Sequence, residues 1–356
     1  MPPIAIDRLY SQQIARSKLK TPTEVVAWLV AVQAQDYPGA KWSLGLRLPG
    51  SSQADIEQAL AEKSILRTWM VRGTLHFVTA ADIRWMLELL APRLIAGSMR
   101  RYKELELDEP TLARSNAILA QALQNGEQRT RSELFAILER NGLAARAQRG
   151  IFMLQRASLD GLICQSVMRG RDPVFLALDD AIPPTKTLTK DEALAELAKR
   201  YFTSRGPATL QDFGWWGGLL AVDAKAGLEA VKSQLIQEIQ EGQTYWRCAS
   251  EPKVPADLPR LNLLPGFDEY LLGYKDRTAS LTEPRYKKLT PLNGMFPATI
   301  VIDGQVAGTW NRKVERKSVA IIPNPFTELT PSDYQDLAIA AQRYGEYLGM
   351  PVNISH

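Results

Sequence analysis

The chain has 356 residues, 45% hydrophobic and 23% charged, which describes a well-cored protein with room for two to four domains. A formal net charge of +4 is only mildly basic, and two cysteines (Cys164, Cys248) with two histidines (His76, His356) leave little material for a disulfide framework, a Cys/His metal site or a Ser-His-Asp triad. No stretch reads as a membrane span or a secretory leader, so a cytoplasmic protein without a metal or other cofactor is expected.

Thr21-Pro22-Thr23-Glu24-Val25 opens the first clear helix with a Thr-x-x-acid cap and a proline in the first turn. Val25, Trp28, Leu29 and Val32 form its core stripe. The run Val32-Gln33-Ala34-Gln35-Asp36-Tyr37-Pro38 must end it, because Pro38 disfavours helical backbone at Tyr37. Gln33 and Gln35 lie two apart, so they converge only where the helix unwinds. Alone, such a pair reads as a satisfied polar helix end. Beside a nucleic-acid partner it reads as a pair of amides able to position a water. A helix over roughly 52–63 follows, then strands over 66–70 and 74–78 flanking Val71-Arg72-Gly73. Arg72 at that tip is suited to enter a DNA groove. Alternation sets Thr74 and His76 on one face and Leu75 and Phe77 on the other, leaving His76 as a DNA contact or a hydrogen-bonded structural residue.

The Thr-x-x-acid-apolar opening recurs at Thr130-Arg131-Ser132-Glu133-Leu134 and Thr209-Leu210-Gln211-Asp212-Phe213. After Thr130 come a short helix, the turn Asn141-Gly142, a helix over 144–159, and strands over 162–166 and 173–177. After Thr209 come Trp215-Trp216-Gly217-Gly218, a helix over 222–236, and strands around Glu241-Gly242. Helix, turn, helix and hairpin make up the winged-helix unit, and three matching caps argue for three copies. Residues 129–171 hold eight arginines against three acids, a field that favours phosphate or else a solvated surface.

From Pro255 the texture changes, with proline or glycine at 255, 259, 265, 266, 273, 284, 291, 294 and 297 between short β-like runs. Thr299 to Trp310 forms a hairpin about Asp303-Gly304, Val314 to Ile322 another strand, and Ser332 to Leu348 a closing helix. Leu264 to Arg277 carries adjacent carboxylates, Asp268 and Glu269, open to acid–base work if one is buried, or to an ion-pair network. Trp215, Trp216 and Trp310 are suited to base stacking, although close helix packing is the better reading of the first two.

Gln33-Ala34-Gln35, Arg72-Gly73-Thr74-Leu75-His76, Gly206 to Trp216, Leu264 to Arg277 and Gly308-Thr309-Trp310 together resemble the winged-helix DNA glycosylases of the AlkZ type. The resemblance spans roughly residues 5–350. It implies an α+β, mainly α fold of three tandem winged helices and a C-terminal β-barrel-like domain around a concave DNA-binding channel. The chain then divides into residues 1–110, 111–185, 186–254 and 255–356. The family motif is Gln-Φ-Gln or Gln-Φ-Asp, which implies Gln33 and Gln35 as catalytic residues, with Asp36 one place out of the acidic register. It implies monofunctional excision of N7-alkylated purines, extending to the unhooking of interstrand crosslinks. The expected partner is double-stranded DNA, and a monomer is expected because an asymmetric lesion needs no dyad. Arg72, His76, Arg100, Arg101, Arg131, Arg146 and Arg149 form the expected DNA-contacting set, with Asp268 and Glu269 as accessory residues. The residues alone leave two rivals: a non-catalytic winged-helix DNA binder, and a small-molecule hydrolase using Asp268 and Glu269.

Overall fold

The computed structural model describes residues 4–182, 187–249, 258–282, 285, 289 and 296–355. The expectations that rest on Pro255, Pro284, Pro291, Gly294 and His356, and the boundaries at 185/186 and 254/255, lie outside the described residues. The fold is mixed α+β and about half helical, rather than mainly α. The chain divides into two compact units, Met1–Ile56 with Leu194–His356, and Glu57–Ala193.

In the unit Glu57–Ala193, five strands run in the order Leu75–Thr79, Ile65–Trp69, Ile163–Arg169, Asp172–Ala177 and Arg129–Thr130. The two expected hairpins are therefore parts of one sheet, joined antiparallel where Arg67 faces Gln165. The Arg67 guanidinium donates to Gln165 Oε1 at 2.8 Å. Ile65–Trp69 and Leu75–Thr79 are buried at every position. A strand covered on both faces loses the apolar/polar alternation that marks a half-exposed one. Helices Arg131–Arg140 and Gln148–Leu159 follow the predicted order. Helices Ile83–Glu104, with Pro92 inside it, and Glu109–Ala122 also belong to the unit and were not anticipated.

In the other unit, helices Leu210–Gly217 and Ala221–Val231 precede an antiparallel hairpin, Leu235–Gln240 with Gln243–Cys248. Its turn is Glu241-Gly242, both at positive φ, as a two-residue hairpin turn requires. The C-terminal sheet has five strands in the order Val352–Ile354, Val319–Pro325, Gln305–Val314, Thr299–Ile302 and Leu261–Leu264. It curls into a half barrel rather than a closed one, because its two edge strands do not pair with each other. Helix Pro331–Leu348 covers it, setting Tyr344 against both Trp310 and Trp42, with ring centroids at 5.4 and 4.8 Å. Trp310 is 2% exposed and donates its indole N–H to Leu264 O at 2.8 Å, so it is core and not a base-stacking platform. Trp216 is buried as well.

Candidate active site

Helix Pro22–Leu29 is capped by Thr21, whose hydroxyl accepts from Glu24 N. Glu24 reaches past the cap to the Lys20 N–H at 2.8 Å, so the predicted box is displaced by one residue. The helix stops at Leu29, and Val30 takes φ 67°, ψ −53°. A β-branched residue there is strained by about 1–3 kcal/mol and persists only where its surroundings over-determine it. The chain then runs extended through Val32–Gln33. Pro38 is not the breaker: it lies in the first turn of a new helix, Tyr37–Leu46, where a missing N–H costs nothing. The break lies between two helices and not at the frayed end of one. Only Val32–Gln33 is extended, and the chain bends at Gln35-Asp36 before the next helix, so the two glutamines are released from the helical geometry that would separate them. Gln33 is 7% exposed and Gln35 is exposed. Asp36 caps the second helix by position, but its side chain makes no capping hydrogen bond.

Two buried ion pairs flank this segment, both built on Asp268-Glu269. Glu269 Oε1 accepts the Gln33 backbone N–H at 3.1 Å. Its Oε2 accepts from Arg205 at 2.6 Å and from the Trp216 indole at 2.9 Å. Arg205 then donates to Leu29 O at 2.9 Å and Ala31 O at 3.3 Å, holding the carbonyls on either side of the strained Val30. Asp268 receives a two-pronged Arg47 guanidinium at 2.8 and 2.9 Å, the Ser43 hydroxyl at 2.7 Å and the Tyr270 N–H at 2.9 Å. Ser43 lies on the helix that follows the glutamines, and Arg47 caps its end. Gln12 bridges the two pairs, donating to Glu269 O at 3.2 Å and accepting from Arg47 on Oε1 at 2.9 Å. Burial pushes the Asp268 carboxyl up, but the Arg47 charge and the hydrogen bonds it receives outweigh that and hold it below the ordinary carboxylate range. An acid held ionised by arginine is unsuited to proton transfer near neutrality, which weighs against Asp268 as a general acid.

The other predicted residues lie in the second unit. Arg72 stands in the tight turn Val71–Gly73 at φ 55°, half-buried. His76 is wholly buried in its strand, with Nδ1 2.9 Å from Thr74 O. Arg100 and Arg101 both pair with Glu104, and Arg100 remains 92% exposed. Arg131 pairs with Asp172 at 3.2 Å, and the exposed Arg146 lies 3.9 Å from Glu139. Arg149 donates to the carbonyls of Leu105 and Ala144, which ties down a loop. Arg156 is committed to Glu109 and Asp160. The arginine-rich segment thus divides into exposed guanidinia with loose acidic partners and others spent on structure. Sequence reasoning passed over Arg47, Arg205, Ser43 and Gln12. The available signal was an acid pair inside an apolar run, Phe267-Asp268-Glu269-Tyr270-Leu271-Leu272, since buried carboxylates require buried cations.

A family profile described as DNA glycosylase AlkZ-like matches residues 26–347. An interstrand DNA cross-link repair glycosylase of Streptomyces sahachiroi is 25% identical over 341 residues, covering 91% of this chain and 90% of that protein. The solved structure of the Streptomyces sahachiroi DNA glycosylase AlkZ superimposes with a TM-score of 0.79 at 22% identity, covering 99% of each chain. The likeness in three dimensions therefore spans both units.

Proposed function

This chain belongs to the AlkZ-like DNA glycosylase family, and from that premise we propose that it hydrolyses the N-glycosidic bond of N7-alkylated purines in DNA, leaving an abasic site. The observation that carries the reading is the Gln33-Ala34-Gln35 segment: a non-helical link between two helices, one amide buried and the other exposed, with the Gln33 backbone tied to a buried ion pair.

The chemistry follows from the leaving group. A purine alkylated at N7 is cationic, so the base departs neutral and a strong general acid is not required. What remains is to orient water against an oxocarbenium-like sugar and to place fixed dipoles where positive charge develops. Each amide offers an acceptor oxygen and donor hydrogens for that task. The exposed Gln35 contacts the water, and Gln33 orients it or the sugar. Asp36 adds a neighbouring negative charge that favours the cationic sugar.

The helix–helix–hairpin segments are read as winged-helix modules within residues 1–110, 111–185 and 186–254, followed by the half-barrel segment 255–356. The Arg72 turn probes the duplex, and exposed guanidinia such as Arg100 and Arg146 meet phosphate. The name of the Streptomyces relative supports extending the substrate to interstrand crosslinks, which are too bulky to flip into a closed pocket.

The test is incubation with duplex DNA carrying N7-methylguanine, followed by alkaline cleavage of abasic sites. Wild-type protein yields product above the depurination background. Gln33→Ala and Gln35→Ala each lose turnover on the order of 100-fold, the usual effect of removing one transition-state contact, while DNA affinity is retained. No product despite tight DNA binding identifies a non-catalytic binder instead.

A further inference from the structure

We propose that Glu269, with Arg205 and Trp216, is a positioning group that sets the catalytic geometry of Gln33; this rests on the proposed glycosylase reaction. Glu269 is completely buried, and its two oxygens face different duties. Oε1 takes the Gln33 N–H, while Oε2 takes Arg205 and Trp216. Arg205 is fully buried too, and its guanidinium lies 4.2 Å over the Trp216 ring. Through Leu29 O and Ala31 O the same guanidinium fixes the backbone just before Gln33. Together these bonds hold the carbonyl on each side of Val30 and the amide N–H of Gln33, which leaves the segment little freedom to rotate. An amide side chain is a weak dipole, and its usefulness to a transition state depends on direction more than on strength. A displacement of about 1 Å in such a group costs on the order of 100-fold in rate.

The carboxylate does its work without reaching the substrate. Its charge is balanced by Arg205. Its neighbour Asp268 performs the matching task on the far side, gripping Ser43 and Arg47 of the helix that starts at Tyr37. One dipeptide thereby anchors the elements before and after Gln33-Ala34-Gln35.

The experiment measures single-turnover excision of N7-methylguanine at saturating enzyme, with DNA affinity and thermal melting for each variant. Glu269→Gln keeps an acceptor for Gln33 but loses the charge that orients Arg205, and is expected to slow excision on the order of 10-fold with affinity little changed. Trp216→Phe removes a single donor to Oε2 and serves as the mild variant where Glu269→Gln folds poorly; a loss of a few fold is expected. The double variant Gln33→Ala/Glu269→Gln distinguishes positioning from general support. If Glu269 acts through Gln33, the double variant is no slower than Gln33→Ala alone, whereas independent effects would multiply. Full excision rates in both Glu269→Gln and Trp216→Phe, or multiplicative losses in the double variant, overturn the inference while leaving the glycosylase reading intact. Wild-type protein without excision overturns both.

Discussion

At the residue scale, the glutamine pair was legible because amides are conspicuous at a helix break in a chain short of histidine and cysteine. Its supports were not, because Arg205 and Glu269 lie 176 and 236 residues away from Leu29 and Gln33, the groups they hold. No local pattern reports such distances. His76 shows the opposite difficulty, since a histidine in a fully covered strand looks in sequence like one on a half-exposed face. Packing around the helix Tyr37–Leu46 gives a direct test. A methyl group on Gly45 would come within 2.5 Å of the Tyr347 ring, which is itself packed on Trp42 with centroids 5.0 Å apart. Gly45→Ala should therefore destabilise the fold by about 1–3 kcal/mol as the ring is displaced, and chemical denaturation would measure the loss. Unaltered stability would show that this aromatic contact has slack.

At the scale of elements, the caps were the most readable feature. Thr130 with Glu133, and Thr209 with Asp212, form complete reciprocal boxes, and Thr330 with Asp333 makes another on the closing helix. The boxes differ in weight. Glu133 is exposed, and Thr130→Ala should cost about 1 kcal/mol, as caps generally do. Asp212 is 1% exposed and serves beyond its helix, accepting from the backbone N–H groups of Lys275 and Asp276 at 2.9 and 3.1 Å and lying 3.8 Å from Arg8. Asp212→Ala leaves the buried Arg8 without its carboxylate and strips two backbone N–H groups at Lys275 and Asp276 of their acceptor, and should cost several times as much, on the order of 3–5 kcal/mol. Comparing the melting of the two variants checks the ranking. Helix Tyr37–Leu46 was missed for a definite reason: proline was read as ending a helix when it was starting one. The hairpins came through because Asp-Gly and Glu-Gly turns specify them locally, whereas the pairing of two hairpins into one sheet depends on long-range contacts such as Arg67 with Gln165.

At the scale of the whole molecule, the α+β class and the C-terminal β region were legible from texture, while the open curl of the half barrel depends on strand pairing that sequence does not encode locally. The charges also act globally. Binding to DNA through exposed guanidinia should weaken linearly in log–log terms as salt rises, and titration at several ionic strengths would give the slope. A slope near zero would exclude phosphate as the main contact. Stability should respond to acid in two phases of opposite sign. Burial, partly offset by Arg247, raises the Asp7 pKa to about 6, so the folded state takes up a proton more readily than the unfolded chain and gains stability as pH falls from about 6 towards 4. The site is only half-buried, so the amplitude is small. Asp268 has its carboxyl held low, so its contribution is intact above the unfolded value near 3.9 and is lost as pH falls below it. Asp7→Asn should flatten the first phase and leave the second, as denaturation across pH 4 to 7 and below would show. The discontinuous unit also has a consequence for biosynthesis. The glutamines emerge early from the ribosome, but the carboxylate that accepts the Gln33 N–H is made 236 residues later. A nascent or prematurely terminated chain therefore lacks the carboxylate that holds the Gln33 backbone, and the proposed reaction would have to wait until the last quarter of the polypeptide has been made and has folded back onto the first.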